Sequence, residues 1–145
     1  MKLLIINGPN MNLLGVMNPE IYGTGTYEEL VDYIRAERGE GNELKFIQTN
    51  HEGDIIDEIQ QAFFENYDGI VLNPAGYSYT SIAIMDAINA VRTPCVEVHI
   101  TEPLLREDFR HHTYTGLAAI GMVAGKGFEG YIEAIDLLSD FVNHK

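Results

Sequence analysis

Leu3-Leu-Ile-Ile-Asn7-Gly-Pro9 carries four apolar residues in a row and then breaks at an Asn-Gly-Pro turn signal. A strand with one wet face alternates apolar and polar residues, whereas a continuous run belongs to a strand covered on both faces. The run is also too short for the apolar core of a secretory leader, so it reads as a first strand. Four more runs of this kind lie at residues 44–49, 70–73, 95–100 and 120–124.

Helical patterns separate them. Thr26-Tyr-Glu-Glu29 has the spacing of a capping box, and Tyr27, Leu30, Val31 and Ile34 form one stripe before Gly39 and Gly41 end the helix. A second helix starts near Gly53 with Ile55, Ile56, Ile59, Ala62 and Phe63 facing inward, and a third near Ser81 with Ile82, Met85 and Ile88. A fourth carries Tyr131, Ile132, Ile135, Leu138 and Val142. Strands alternating with helices imply parallel strands joined by right-handed crossovers. The expected fold is therefore α/β: a flavodoxin-like, doubly wound, five-stranded parallel sheet with helices on both faces, in one domain over residues 1–145. Such sheets bind ligands beyond the carboxyl ends of their strands, which puts the site in the loops that begin at Asn7, Asn73 and His99.

Charge excludes one class of partner. Nine basic residues against 22 acidic ones give −13, which repels a phosphate backbone, so nucleic acid is not expected to bind. No apolar stretch approaches the roughly 20 residues of a membrane span, and no membrane partner is expected. The lone Cys95 cannot form an internal disulfide and fits either a core position or a reactive thiol; the chain reads as cytoplasmic.

Several polar groups stand out. The stretch from Asn7 to Gly25 is long for a loop in a compact domain, as lids and binding loops are. Its Asn7, Asn10 and Asn12 also suit turn backbone, and Tyr22 near its end also suits a loop anchor. Glu97-Val-His99 places a carboxylate and an imidazole on one face of a strand, where the first can orient the second. Arg106-Glu-Asp-Phe-Arg110-His-His112 concentrates positive charge near that strand end in an acidic chain. No carboxylate and histidine set has a familiar metal spacing, so no metal is expected. Gly125-Lys-Gly127-Phe-Glu-Gly130 matches a dinucleotide fingerprint, but no further strand follows to end in the acidic ribose ligand, so tight packing at a strand-to-helix turn is the better account.

Read together, Asn7-Gly-Pro-Asn-Met-Asn-Leu-Leu-Gly15, Pro19-Glu-Ile-Tyr-Gly23, Gln48-Thr-Asn-His-Glu-Gly53, Glu97-Val-His-Ile100 and the 106–112 cluster resemble the type II 3-dehydroquinate dehydratase family over nearly the whole chain. The resemblance implies a hydro-lyase of the shikimate pathway that turns 3-dehydroquinate into 3-dehydroshikimate without a cofactor. It implies Tyr22 as the base, His99 as the acid, Asn10 as a holder of the water beside the enolate, and Glu97 as the group orienting His99. Substrate-binding roles fall on Asn73, on the backbone of Ile100 and Thr101, on Tyr79, Arg106 and Arg110, and on Asp86, which reaches a neighbouring subunit of a homododecamer built from trimers. An elimination next to a ketone needs such a base, enolate stabilisation and an acid.

Three positions depart from the family pattern. Met17 stands where the family's lid has an arginine, Tyr79 where it has a histidine, and Met85 where an arginine precedes the aspartate. An ordinary tyrosine is only about 0.1% phenolate at pH 7, so a base needs a cation nearby, and Arg106 is the residue that could swing in. A paralogue acting on another carbocyclic hydroxy-acid, and a non-catalytic carboxylate-binding protein, are the alternative readings at this level.

Overall fold

The computed structural model describes residues 1–144. Five parallel strands, β1 (Lys2–Asn7), β2 (Glu43–Gln48), β3 (Gly69–Asn73), β4 (Cys95–His99) and β5 (Gly121–Ala124), form one sheet in the order β2-β1-β3-β4-β5. The change of direction between β1 and β3 is where a ligand crevice opens in a sheet of this order. Helices α2 (Tyr27–Arg38) and α5 (Glu129–Asn143) cover one face, and α3 (Glu52–Phe64) and α4 (Ile82–Val91) the other. A short α1 (Pro19–Tyr22) lies within the long loop after β1.

Side-chain alternation explains why the strands read as unbroken apolar runs. Leu3 and Ile5 pack under α2 and α5, while Leu4 and Ile6 pack under α3 and α4. Each such Leu or Ile gains roughly 1.5–3 kcal/mol by leaving water, on both sides of one strand. Thr26 caps α2 by accepting from the Glu29 N–H at 3.1 Å, and Ser81 caps α4 by accepting from the Ile84 N–H at 2.9 Å.

Some expectations shift. Thr49 and Ile100 lie just beyond their strands. In α4 the buried stripe is Ile84, Ala87, Ile88 and Val91, and Ile82 is 52% exposed. That helix is apolar nearly all round, so spacing alone does not choose its inner face. Phe63 is half exposed because the last turn of α3 overhangs the core, where its ring meets Phe64 edge-on with centroids 5.4 Å apart. Cys95 is a core residue, its thiol pushed far up by burial. None of the described helices is long and apolar enough to cross a membrane.

Candidate functional site

The chain leaves β1 through Gly8, whose N–H donates to the Asn73 carbonyl at 2.8 Å. A Cβ there would stand 2.7 Å from the Pro74 carbonyl oxygen, so a residue without a side chain is required between the ends of β1 and β3. Asn10 then turns the chain with φ 70°, a left-handed conformation that asparagine tolerates. Its N–H donates to Asn50 Oδ1 at 3.0 Å, and Gln48 Nε2 donates to the Gly8 carbonyl at 3.2 Å. The residues after β2 thus brace the loop after β1. Past Met17, which packs against the α2 and α5 core, α1 presents Tyr22 in its last residue.

At the end of β4, Glu97 and His99 point to one side of the sheet, both buried. His99 Nε2 donates to Glu97 Oε2 at 2.9 Å, and the Ser78 hydroxyl donates to the same oxygen at 3.0 Å. The Thr115 hydroxyl donates to Glu97 Oε1. Three donors around one buried carboxylate fix the imidazole with its Nε2–H on Glu97 and leave Nδ1 as the ring nitrogen that can take up and release a proton. Neither hydroxyl was visible as a partner in the sequence. Ser78 sat unremarked beside Tyr79, and Thr115 lies far along the chain from Glu97 in a stretch without a motif.

Two arginines from the loop after β4 complete the arrangement. Arg106 Nη1 donates to the Tyr22 hydroxyl at 2.8 Å, with the guanidinium 5.4 Å from the ring centroid. It thus contacts the tyrosine while also lining the cleft in which a substrate contact is expected of it. Arg110 donates from Nε to Glu107 Oε2 at 2.6 Å and lies 5.4 Å from the Tyr79 ring centroid. Burial holds the Tyr79 hydroxyl above the ordinary phenol range, and Arg110 pulls it partly back. The Tyr79 ring stacks on His99 with centroids 6.1 Å apart.

The glycine pattern after β5 has a structural use. Gly127 and Gly125, both with positive φ, donate their N–H groups to the carbonyls of Ile100 and Thr101 at 3.1 Å each. These bonds pin the peptide backbone at which a carboxylate was expected. Asn73, buried at the end of β3, accepts from the Ala75 N–H through Oδ1 at 3.1 Å and donates through Nδ2 to the Tyr131 hydroxyl at 2.9 Å. Its amide is more heavily engaged than the sequence suggested.

These groups converge on one cleft at the carboxyl ends of the strands, where a sheet of this order binds its ligand. Tyr22 and Asn10 reach it from the first loop, Asn73 and Tyr79 from the second, and His99 and Arg106 from the third. Ile100, Thr101, Arg110 and Met17 also line it. Glu97 is buried behind His99. Asp86 lies on the exposed side of α4, away from the cleft of its own chain. Among the described residues no three of the metal-binding types His, Cys, Asp and Glu converge.

The chain matches the family model for class II dehydroquinases over residues 1–139. It is 47% identical to the 3-dehydroquinate dehydratase of Clostridium perfringens strain 13, with 100% of each chain covered. The crystal structure of type II dehydroquinase from Butyrivibrio crossotus superimposes with a TM-score of 0.93 at 46% identity, covering 96% of this chain and 97% of that one. That of type II dehydroquinase from Propionibacterium acnes gives 0.87 at 38% identity, covering 98% and 96%.

Proposed function

The chain belongs to the class II dehydroquinase family and is a hydro-lyase of the 3-dehydroquinate dehydratase type, and from that premise we propose how its own side chains divide the reaction. Tyr22 removes a proton from the carbon next to the substrate ketone. Asn10 helps hold a water against the enolate oxygen that results. His99, protonated on both ring nitrogens with its Nε2–H held by Glu97, gives the Nδ1 proton to the departing hydroxyl, and water leaves. The observation that carries this reading is the contact of Arg106 Nη1 with the Tyr22 hydroxyl at 2.8 Å, in the same cleft as a Glu97-anchored imidazole. A guanidinium at that distance stabilises negative charge developing on a phenol oxygen.

The substrate carboxylate is assigned to Asn73 and the backbone N–H groups of Ile100 and Thr101, braced from behind by Gly125 and Gly127. Arg110 and Tyr79, whose ring lies 5.4 Å from the guanidinium, are assigned to the ring hydroxyls. Purified protein given 3-dehydroquinate should produce the conjugated enone, seen as rising ultraviolet absorbance, and Tyr22→Phe should reduce the rate by about 10³-fold. No absorbance change with 3-dehydroquinate, but turnover of another carbocyclic hydroxy-acid, would move the substrate assignment to a paralogue.

The proposed working form is a cytoplasmic homododecamer of trimers in which Asp86 enters the neighbouring subunit's cleft. Its position on an outer helix face is compatible with that role. Light scattering should then report an assembly that is a multiple of three, and Asp86→Ala should weaken turnover although the residue is remote from its own cleft. A fully active monomer would remove both statements.

A further inference from the structure

Asn7 and Asn73 are neighbours in the register of β1 and β3, at the carboxyl ends of both strands. Tyr131, from the first half of α5 and fully buried, lies beneath them. Its hydroxyl donates to Asn7 Oδ1 at 2.5 Å and accepts from Asn73 Nδ2 at 2.9 Å. A phenol has one proton to give, and that proton is committed to Asn7. Toward Asn73 the hydroxyl can therefore act only as an acceptor, which forces the amide nitrogen of Asn73 to face it. The other end of the same amide agrees independently, since Oδ1 must face the Ala75 N–H.

We propose that Tyr131 is a positioning residue for substrate binding: its hydroxyl, fixed by Asn7, sets the amide of Asn73 so that one N–H stays turned to the cleft for the substrate carboxylate. This rests on the assignment of Asn73 to that carboxylate. The Asn73 amide has two N–H bonds, of which Tyr131 takes one. Among the described residues the other hydrogen-bond partner of Nδ2 is the Met11 sulfur at 3.5 Å, a weak acceptor on the cleft wall that a carboxylate oxygen displaces at little cost. Packing does not explain the hydroxyl, because phenylalanine would fill the same core volume without burying a polar group. Asn7 supports the same reading. Its Nδ2 is buried and makes no well-formed hydrogen bond, although the Tyr27 side chain interacts with the same amide, so the bond from the Tyr131 hydroxyl is the well-formed one that orients it. Burial keeps the phenol of Tyr131 protonated and hence a donor across the working pH range.

Steady-state kinetics of Tyr131→Phe with 3-dehydroquinate, beside Asn73→Ala and the double variant, test this. The expected result is a KM about tenfold higher in Tyr131→Phe with kcat within about threefold, and a double variant no worse in KM than Asn73→Ala alone. A purely structural tyrosine would lower the melting temperature and leave KM where it was. A KM within twofold of the parent in Tyr131→Phe, while Asn73→Ala raises it tenfold or more, overturns the role of Tyr131 and leaves that of Asn73 standing. An unchanged KM in Asn73→Ala instead removes the carboxylate assignment, and the inference with it. Should Tyr131→Phe not fold, Asn7→Ala releases the Tyr131 proton to turn toward Asn73 and is expected to raise KM about threefold; a parental KM there also overturns the proposal.

Discussion

Replacing His99 with alanine is expected to lower kcat by about 10²-fold or more while the protein still folds. Hydroxide is a poor leaving group from carbon, and a positioned acid typically contributes 10²- to 10⁴-fold to such a step. His99 suits that position because its Nε2 is committed to Glu97 at 2.9 Å, and Glu97 is itself held by Ser78 and Thr115. The ring therefore cannot swing, and whatever proton it delivers comes from Nδ1. Alanine removes the donor but leaves Glu97 two hydroxyls to accept from, so the buried carboxylate keeps partners and the core stays closed. Far-ultraviolet circular dichroism and a melting curve check the fold, and turnover at saturating substrate checks the chemistry. Turnover within a factor of two of the parent would take His99 out of the mechanism. Glu97→Gln refines the result: it keeps the shape of the side chain but presents an amide, and should cost kcat more than KM.

Much of this site could be read from the chain because strand ends announce themselves. The apolar run of β1 stops at Asn7, that of β3 at Asn73 and that of β4 at His99, and all three residues stand where the crevice opens. The short α1 was hidden because its four residues are too few to show a period. The inner face of α4 was misassigned for the opposite reason, an excess of apolar residues at every angle. Side-chain partners were the least legible layer. Thr115 and Tyr131 reach the site from distant segments, and nothing in the spacing of a threonine in a loop, or of a tyrosine on an apolar stripe, says which polar group it will meet. Tyr131 was in fact read correctly as core, and its hydroxyl could be found only once Asn7 and Asn73 were placed above it. The role of Arg106 was legible as an alternative: an arginine missing at Met17 left a tyrosine in want of a cation, and the 106–112 cluster was the nearest supply.

Arg106→Ala is expected to slow turnover by about ten- to a thousandfold, because the negative charge developing on the Tyr22 oxygen loses its guanidinium partner. Two features make the structure specific on this point. Arg106 Nη1 lies 2.8 Å from the Tyr22 oxygen, and the side chain of Met17 fills cleft wall where the family's lid carries positive charge. The same Arg106 Nε stands 3.9 Å from Glu107, a distance that loosely tethers the guanidinium without removing it from the tyrosine. Met17→Arg separates supply of charge from supply of shape. Added to the parent it brings a second guanidinium towards one already seated, and turnover should change by less than about threefold or fall through repulsion. Added to Arg106→Ala it should restore part of the lost rate. If Arg106→Ala instead keeps a parental rate, Tyr22 does not depend on this arginine, and the means of its activation must be sought elsewhere in the cleft or on a neighbouring subunit.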